Sequence, residues 1–575
     1  MAQGSSPGCG GDRAIWRGPQ TRLTTGGAMA RASSAAALLL ARSRAQIPGP
    51  TYENHPPVPI ARCTLDGGCE LDQAGLTLDA SYRWAHGVEC VDKELGLGCT
   101  TTKDCQQDGS WNEELCPDPI GCGKSCAIEG VTMASYTTDY GVTPATNGVE
   151  LKFVTKQAGG TNVGSRLYVM DGDDKYRIFH LKNREFAFDV DVSQLPCGLN
   201  GAVYFVEMPE DGGKAEGNSA GAKYGTGYCD AACPHNVKFM DGEVNMLDWD
   251  EASGTGRFGH CCAEMDLWEA NSRATAYTAH PCGSEGSHKC EGEACKSACD
   301  QSGCGFNSFR NGDENFYGPG SEFTLDTSRP FTVVTQWITA DGTDDGELAD
   351  IRRLYVQDGR LITNSDAKAL GGGVGNSLSE KYCAAAHEAF GDGDAFASGG
   401  AGFKNIGAAA ERGMVLALSV WADVKSHMAW LDSTLGHGAG ATRGPCSQED
   451  VSDSLEGDAF ADVSVTYTNF MHGEIGSTVK YRAGPAPLAP PRLYGDLGGP
   501  IPEADAGIAG SKKGAWVATM SGLAMVAAAL AGAAGVVVLG RRRLPATAGL
   551  LDTAPEYGLV AERAAAACPN SGTAP

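Results

Sequence analysis

All but two of the chain's 22 cysteines lie between Cys63 and Cys446; the exceptions, Cys9 and Cys568, sit near the termini. An even, dense set confined to one segment predicts a disulfide framework built in an oxidising compartment, and so a secreted or lumenal domain. Zinc is the rival use of cysteine, and it needs clustered Cys and His ligands. Cys229 with Cys233 and Cys295 with Cys299 have tolerable spacing, but nothing else in the sequence supports a metal.

The segment that holds those cysteines, residues 46–482, is rich in glycine and in short alternating runs such as Leu151-Lys152-Phe153-Val154, Ala187 to Val192 and Val463 to Tyr467. Asp341-Gly342, Asp358-Gly359 and Asp392-Gly393 separate such runs as turn signals. Long helical periodicity is scarce, apart from weak pieces near Ala384 to Phe390. Period-two runs between turn dipeptides predict an all-β, antiparallel sandwich with long loops.

The composition changes on both sides of this segment. Residues 1–45 read as an N-terminal extension and signal peptide: after Met29 come Arg31, the apolar run Ala35 to Ala41, and Ser43-Arg44-Ala45 as a cleavage site. Residues 483–514 are rich in Pro, Gly and Ala and read as a linker. Residues 515–539 are uncharged and apolar. At ~1.5 Å per residue they span a ~30 Å hydrocarbon core, so one C-terminal transmembrane helix is expected, with Trp516 as an interfacial anchor. Arg541-Arg542-Arg543 follow it, which places the tail, residues 540–575, in the cytoplasm and the cysteine-rich domain outside or in a lumen. The expected topology is a single-pass type I membrane protein.

Acidic residues outnumber basic ones by 71 to 45, for a net charge of -26. That balance argues against nucleic acid, or an anionic membrane surface, bound through a basic patch. A neutral polymer such as a polysaccharide is compatible with it.

One run concentrates three carboxylates. Glu264-Met265-Asp266-Leu267-Trp268-Glu269 reads as a strand directly after the pair Cys261-Cys262. Like charges this close push at least one pKa upward. One ionised and one protonated carboxyl group facing each other is what glycosidic bond cleavage requires, at ~5–5.5 Å separation in a retaining mechanism. Strand alternation sets Glu264 beside Asp266 but turns Glu269 to the opposite face. A bulge or strong twist is needed to return Glu269 to the same side. A solvated acidic edge and a calcium site are the other readings of the run.

Tyr82, Trp84, Trp421 and Trp430 stand beside polar, loop-like sequence. Flat rings of this kind either pack in a core or stack on the apolar faces of pyranose rings. Arg310 and Arg443 read equally as sugar hydrogen-bonders or salt-bridge partners. His280, before Pro281-Cys282, reads by itself as a structural histidine.

The string Cys261 to Asn271 (CCAEMDLWEAN) resembles the active-site signature of family 7 glycoside hydrolases, the cellobiohydrolases and endoglucanases that cut β-1,4-glucan. Asp189 to Phe205, Gly221 to Asp230, Phe316 to Thr327 and Met428 to Ser433 resemble the same family in the same order. The likeness covers about residues 50 to 480. It implies a concanavalin-like β-jelly-roll sandwich whose long loops form a cleft or tunnel for cellulose or a related β-glucan, with no cofactor. By the same likeness Glu264 resembles the nucleophile, Asp266 its hydrogen-bonding partner, Glu269 the acid/base and His280 the histidine beside the catalytic group. Trp421 and Trp430 match stacking residues flanking the cleavage point, and Trp84 one near the cleft entrance. Tyr82 stands where cellobiohydrolases have a further Trp. Asn200, Tyr204, Tyr228 and Asp230 match cleft-lining positions, and Arg310 and Arg443 the product side.

The family's arrangement also implies bridges Cys63–Cys69, Cys90–Cys126, Cys116–Cys122, Cys197–Cys446, Cys229–Cys262, Cys233–Cys261, Cys282–Cys299, Cys290–Cys295 and Cys304–Cys383, leaving Cys99–Cys105. The loop between Cys295 and Cys299 is shorter than in typical cellobiohydrolases and lacks their product-side Arg and Tyr, whereas Ala384 to Gly400 keeps the length of a tunnel-covering loop. On balance the resemblance favours a cellobiohydrolase releasing cellobiose. An endo-β-1,4-glucanase, a β-1,3- or mixed-linkage glucanase and a non-catalytic carbohydrate-binding surface protein are the alternatives.

Overall fold

The structure, a computed structural model, describes residues 47–479 except 89–102, 108, 158–159, 392–395, 397–401, 424–425, 435–437 and 448–459. Its strands are β1 (Pro57–Thr64), β2 (Gly68–Leu78), β3 (Val142–Ala145), β4 (Gly148–Lys152), β5 (Ser165–Asp171), β6 (Arg184–Asp191), β7 (Asn200–Val206), β8 (Glu264–Ala270), β9 (Thr275–His280), β10 (Cys304–Asn307), β11 (Phe331–Thr339), β12 (Leu348–Gln357), β13 (Arg360–Thr363), β14 (Met414–Trp421) and β15 (Ser464–Glu474), among shorter ones.

Pairing sorts them into two layers. The first runs β2-β5-β14-β7-β8-β9-β10, antiparallel throughout. The second runs β3-β4-β15-β6-β11-β12-β13, also antiparallel. The β1–β2 hairpin links the layers, because β2 pairs with β5 near its end while β1 lies parallel to β15. Alternation sends one set of side chains from each layer into a shared core, including Leu167, Val203, Phe205, Met265, Trp268, Phe186, Val333 and Ile351. Two sheets that each bury one face against the other form the expected β-sandwich.

The turn signals explain the register. Gln357 pairs with Arg360 across Asp358-Gly359, whose φ values of 53° and 71° are those a two-residue hairpin loop demands. Asp392-Gly393 lies outside the described residues. A helix covers the weakly helical piece, α1 (Glu380–Phe390), capped by the Ser379 side chain and ended by left-handed Gly391. A second helix, α2 (Gly402–Arg412), went unread in the sequence. It buries Phe403, Ile406, Gly407 and Ala410 at helical spacing. A Cβ on Gly407 would meet the Leu348 Cβ at 2.9 Å, so glycine permits the close approach to β12.

Cys63–Cys69, Cys116–Cys122, Cys197–Cys446, Cys229–Cys262, Cys233–Cys261, Cys282–Cys299, Cys290–Cys295 and Cys304–Cys383 are bridged as the resemblance implies. One expectation is corrected: Cys126 is bonded to Cys105, which overturns both Cys90–Cys126 and Cys99–Cys105. Strand Ala85–Gly87 pairs with Cys126–Ile128, and Asp104 bridges His86 on its other side, so residue 105 is delivered to Cys126. Cys90 and Cys99 lie outside the described residues. So do residues 1–45, the 483–514 linker, the apolar segment 515–539 and the tail 540–575. Among the described residues no helix is long and apolar enough to cross a membrane.

Candidate active site

The face of the first sheet that points away from the sandwich core carries the acidic run. On β7, Val203 and Phe205 enter the core, so Asn200, Ala202 and Tyr204 face outward. The neighbouring β8 keeps step at first: Val206 pairs with Glu264 and Tyr204 with Asp266. Then Val203 pairs with Trp268 and Ala202 with Glu269, which leaves Leu267 as an extra residue without a partner on β7. The same slip appears against β9, where Asp266 pairs with Thr278 but Glu269 with Ala276. This is a β-bulge. It sends Met265, Leu267 and Trp268 all into the core and returns Glu269 to the face of Glu264 and Asp266.

The vicinal cysteines fix the start of β8. Cys229–Cys262 and Cys233–Cys261 tie it to the loop 229–233, which places Asp230 beside the strand and directs the Ala231 amide at Glu264 Oε2 over 3.0 Å. Tyr228 donates to Asp230 Oδ2 at 2.6 Å, and its hydroxyl lies 3.1 Å from that of Tyr204. Asn200 donates from Nδ2 to Glu269 Oε1 at 3.0 Å and accepts from the Ala270 amide, so it holds both side chain and backbone beyond the bulge. His280 Nε2 lies 3.0 Å from Asp266 Oδ2. Glu264, Asp266, Glu269, His280, Asn200, Tyr204, Tyr228 and Asp230 are thus one constellation.

Its electrostatics follow from crowding in a dry place. Burial pushes Glu264 well above the usual carboxylate range, and the charges of Asp266, Asp230 and Glu269 add to the push against the Ala231 amide. Burial and Asp266 raise Glu269 likewise, with His280 and the Asn200 amide pulling down. Burial lowers His280, but the hydrogen bond and charge of Asp266 more than offset it and hold the imidazole at about 9. Carboxyl groups that oppose one another's ionisation keep a proton among them. One acid and one carboxylate on a single face can protonate a leaving oxygen and attack an anomeric carbon.

Among the described residues, three groups bring three potential ligand atoms within 4.8 Å of one another; all contain disulfide cysteines, and the acidic run is in none of them.

The aromatics and arginines fall into two flanking groups. Trp421 ends β14 opposite Asn200, and its ring stacks on Trp430 at 6.2 Å between centroids and 27°. Arg310 and Arg443 are joined through Asn307, whose Oδ1 accepts from the Arg310 amide and whose Nδ2 donates to the Arg443 carbonyl. Tyr82 is half-buried against the core, whereas Trp84 is 44% exposed, its ring tilted 35° against His86 at 4.4 Å between centroids, and donates to Asp104. Three participants went unread: Asn307, the Ala231 amide, and Arg166, whose guanidinium lies 3.4 Å from the Tyr228 ring centroid. Tyr168, two residues on along β5 and so on the same face as Arg166, stacks on the Tyr228 ring at 5.8 Å between centroids.

Residues 49–479 match the model of the family described as Glycosyl hydrolase family 7. A cellobiohydrolase of that family from Daphnia pulex is 42% identical, with a TM-score of 0.71, over 76% of this chain and 100% of that one. A cellobiohydrolase from Melanocarpus albomyces, solved with cellotetraose, is 37% identical with a TM-score of 0.68 over the same shares. An endocellulase from Humicola insolens is 36% identical with a TM-score of 0.63, again over 76% and 100%.

Proposed function

The chain belongs to glycosyl hydrolase family 7, a glycoside hydrolase of β-1,4-glucosidic bonds in cellulose, and on that premise we propose how its residues divide the work. The carrying observation is the bulge at Leu267, which puts Glu264 and Glu269 on one face. Glu269 protonates the leaving oxygen while Glu264 attacks the anomeric carbon, forming a glycosyl-enzyme. Glu269, now a base, then activates the water that releases the sugar with its configuration retained. Asp266, clamped by His280, sits between the two glutamates in sequence and modulates both. Trp421 and Trp430 stack on the sugars flanking the cleavage point, Arg310 and Arg443 bind the product side, Tyr204, Tyr228 and Asp230 line the cleft, and Tyr82 and Trp84 stand toward its entrance.

The mode of action we propose is that of a cellobiohydrolase. Support comes from α1: its last residue, Phe390, lies under the Arg310 guanidinium at 4.2 Å, and Arg310 Nε donates to the Gly440 carbonyl at 2.8 Å. Three chain segments therefore meet at Arg310, as the closing of a loop across the product side would require. Residues 46–482 form the catalytic domain in this reading. A signal peptide within 1–45, a linker over 483–514 and a transmembrane helix over 515–539 present it outside the cell or in a lumen, with 540–575 as the cytoplasmic tail.

Crystalline cellulose digested for short times tests the reading. Cellobiose as the main soluble product, released as the β-anomer, supports it. Longer oligomers at early times favour an endoglucanase, and the α-anomer overturns the roles given to the two glutamates. Retention of the full chain in a carbonate-washed membrane pellet, and release of residues 1–482, tests the anchor.

A further inference from the structure

A backbone carbonyl inside a sheet needs a donor. Leu267 has no partner on β7, and on the β9 side the ladder skips Tyr277, which lies between Ala276 and Thr278. The Leu267 carbonyl is met instead by Nη2 of Arg353, reaching from β12 in the opposite layer. Arg353 is 1% exposed, and its guanidinium stacks on the ring of Tyr277 at 4.4 Å. Among the described residues its electrostatic neighbours are Tyr355 and Tyr277, with no carboxylate.

A cation buried without a carboxylate is costly, and a core that needed only volume would be better served by Met or Leu. What arginine adds here is a long reach ending in a donor, delivered to a carbonyl that the bulge leaves without a partner in either ladder. Glu264 and Asp266 precede that carbonyl and Glu269 follows it, so the geometry of Leu267 fixes the spacing across the reacting centre. We propose that Arg353 is a positioning residue for the glycosidase reaction: by holding the Leu267 carbonyl it fixes the bulge, and through it the placing of the Glu269 carboxyl relative to Glu264. This rests on the acid/base and nucleophile roles assigned above.

The test compares kcat/KM on two aryl cellobiosides, one with a dinitrophenyl leaving group that departs without a proton and one with a methylumbelliferyl group that needs one more. Arg353→Met is expected to lose about 10²-fold on the methylumbelliferyl substrate, the scale of a misplaced catalytic group, and under about fivefold on the dinitrophenyl one. Arg353→Lys, which keeps a cation and a donor, recovers part of the loss. Glu269→Gln is the control. If it discriminates between the two leaving groups while Arg353→Met loses equally on both, or loses nothing, the positioning role is overturned and the role of Glu269 stands. If Glu269→Gln itself fails to discriminate, the acid/base assignment falls and takes the proposal with it. Should Arg353→Met not fold, Arg353→Lys carries the comparison. A high-resolution crystal structure with no Arg353 nitrogen within hydrogen-bond distance of the Leu267 carbonyl overturns the proposal without any variant.

Discussion

His280 lies 3.0 Å from Asp266 through Nε2 and 2.9 Å from the Asp300 carbonyl through Nδ1. A carbonyl only accepts, so Nδ1 carries a proton, and the carboxylate draws another onto Nε2. The result is a buried imidazolium–carboxylate pair one strand from the bulge.

This pair sets a stability window. The folded pKa of about 9 lies above the ordinary histidine value of 6.5, so the contribution is fully present below pH 6.5 and lost as pH rises through 9. His280→Asn should cost about 3 kcal/mol at pH 6 and little above about pH 10, read from urea unfolding at each pH.

Activity should shift with pH in opposite directions in two variants. Asp266 raises both glutamates, so Asp266→Asn should move the whole kcat/KM profile to lower pH, with a maximum reduced by about 10²-fold. The Asn200 amide lowers Glu269 alone, so Asn200→Ala should move only the alkaline limb, to higher pH.

Glu264→Gln should lose at least about 10⁴-fold in kcat while still binding cellobiose in calorimetry. It should also melt higher than wild type at pH 7. The folded pKa of Glu264 is raised, so the folded state holds an extra proton and stability falls as pH climbs above the unfolded value. The advantage of the variant should vanish below about pH 4.

Replacing Cys105 and Cys126 by serine should cost about 2–4 kcal/mol in unfolding. Cys105 adjoins Asp104, which accepts the Trp84 indole N–H. The double variant should therefore lose activity on long glucans more than on aryl cellobiosides, as Trp84→Ala should.

The antiparallel sandwich and the identity of the acidic strand were legible because period-two patterning and the Glu264–Glu269 run are local signals. That Glu269 turns to the side of Glu264 was not legible. Simple alternation points it away, and the bulge that corrects it is met by Arg353, which arrives from the opposite layer. The partner of Cys126 was lost for a similar reason, being chosen by the pairing of Ala85–Gly87 with Cys126–Ile128 rather than by cysteine order. Helix α2 hid because Ala and Gly dominate it and its apolar stripe rests mainly on Phe403 and Ile406.

The last strand, β15, sits in the middle of its sheet, with β6 along one flank and β4 and β1 along the other. During translation the second layer must therefore wait as two separate halves until Glu474 has cleared the ribosome, each half showing a bare edge to chaperones. A premature stop anywhere upstream would leave an unclosed, adhesive fragment instead of a smaller enzyme.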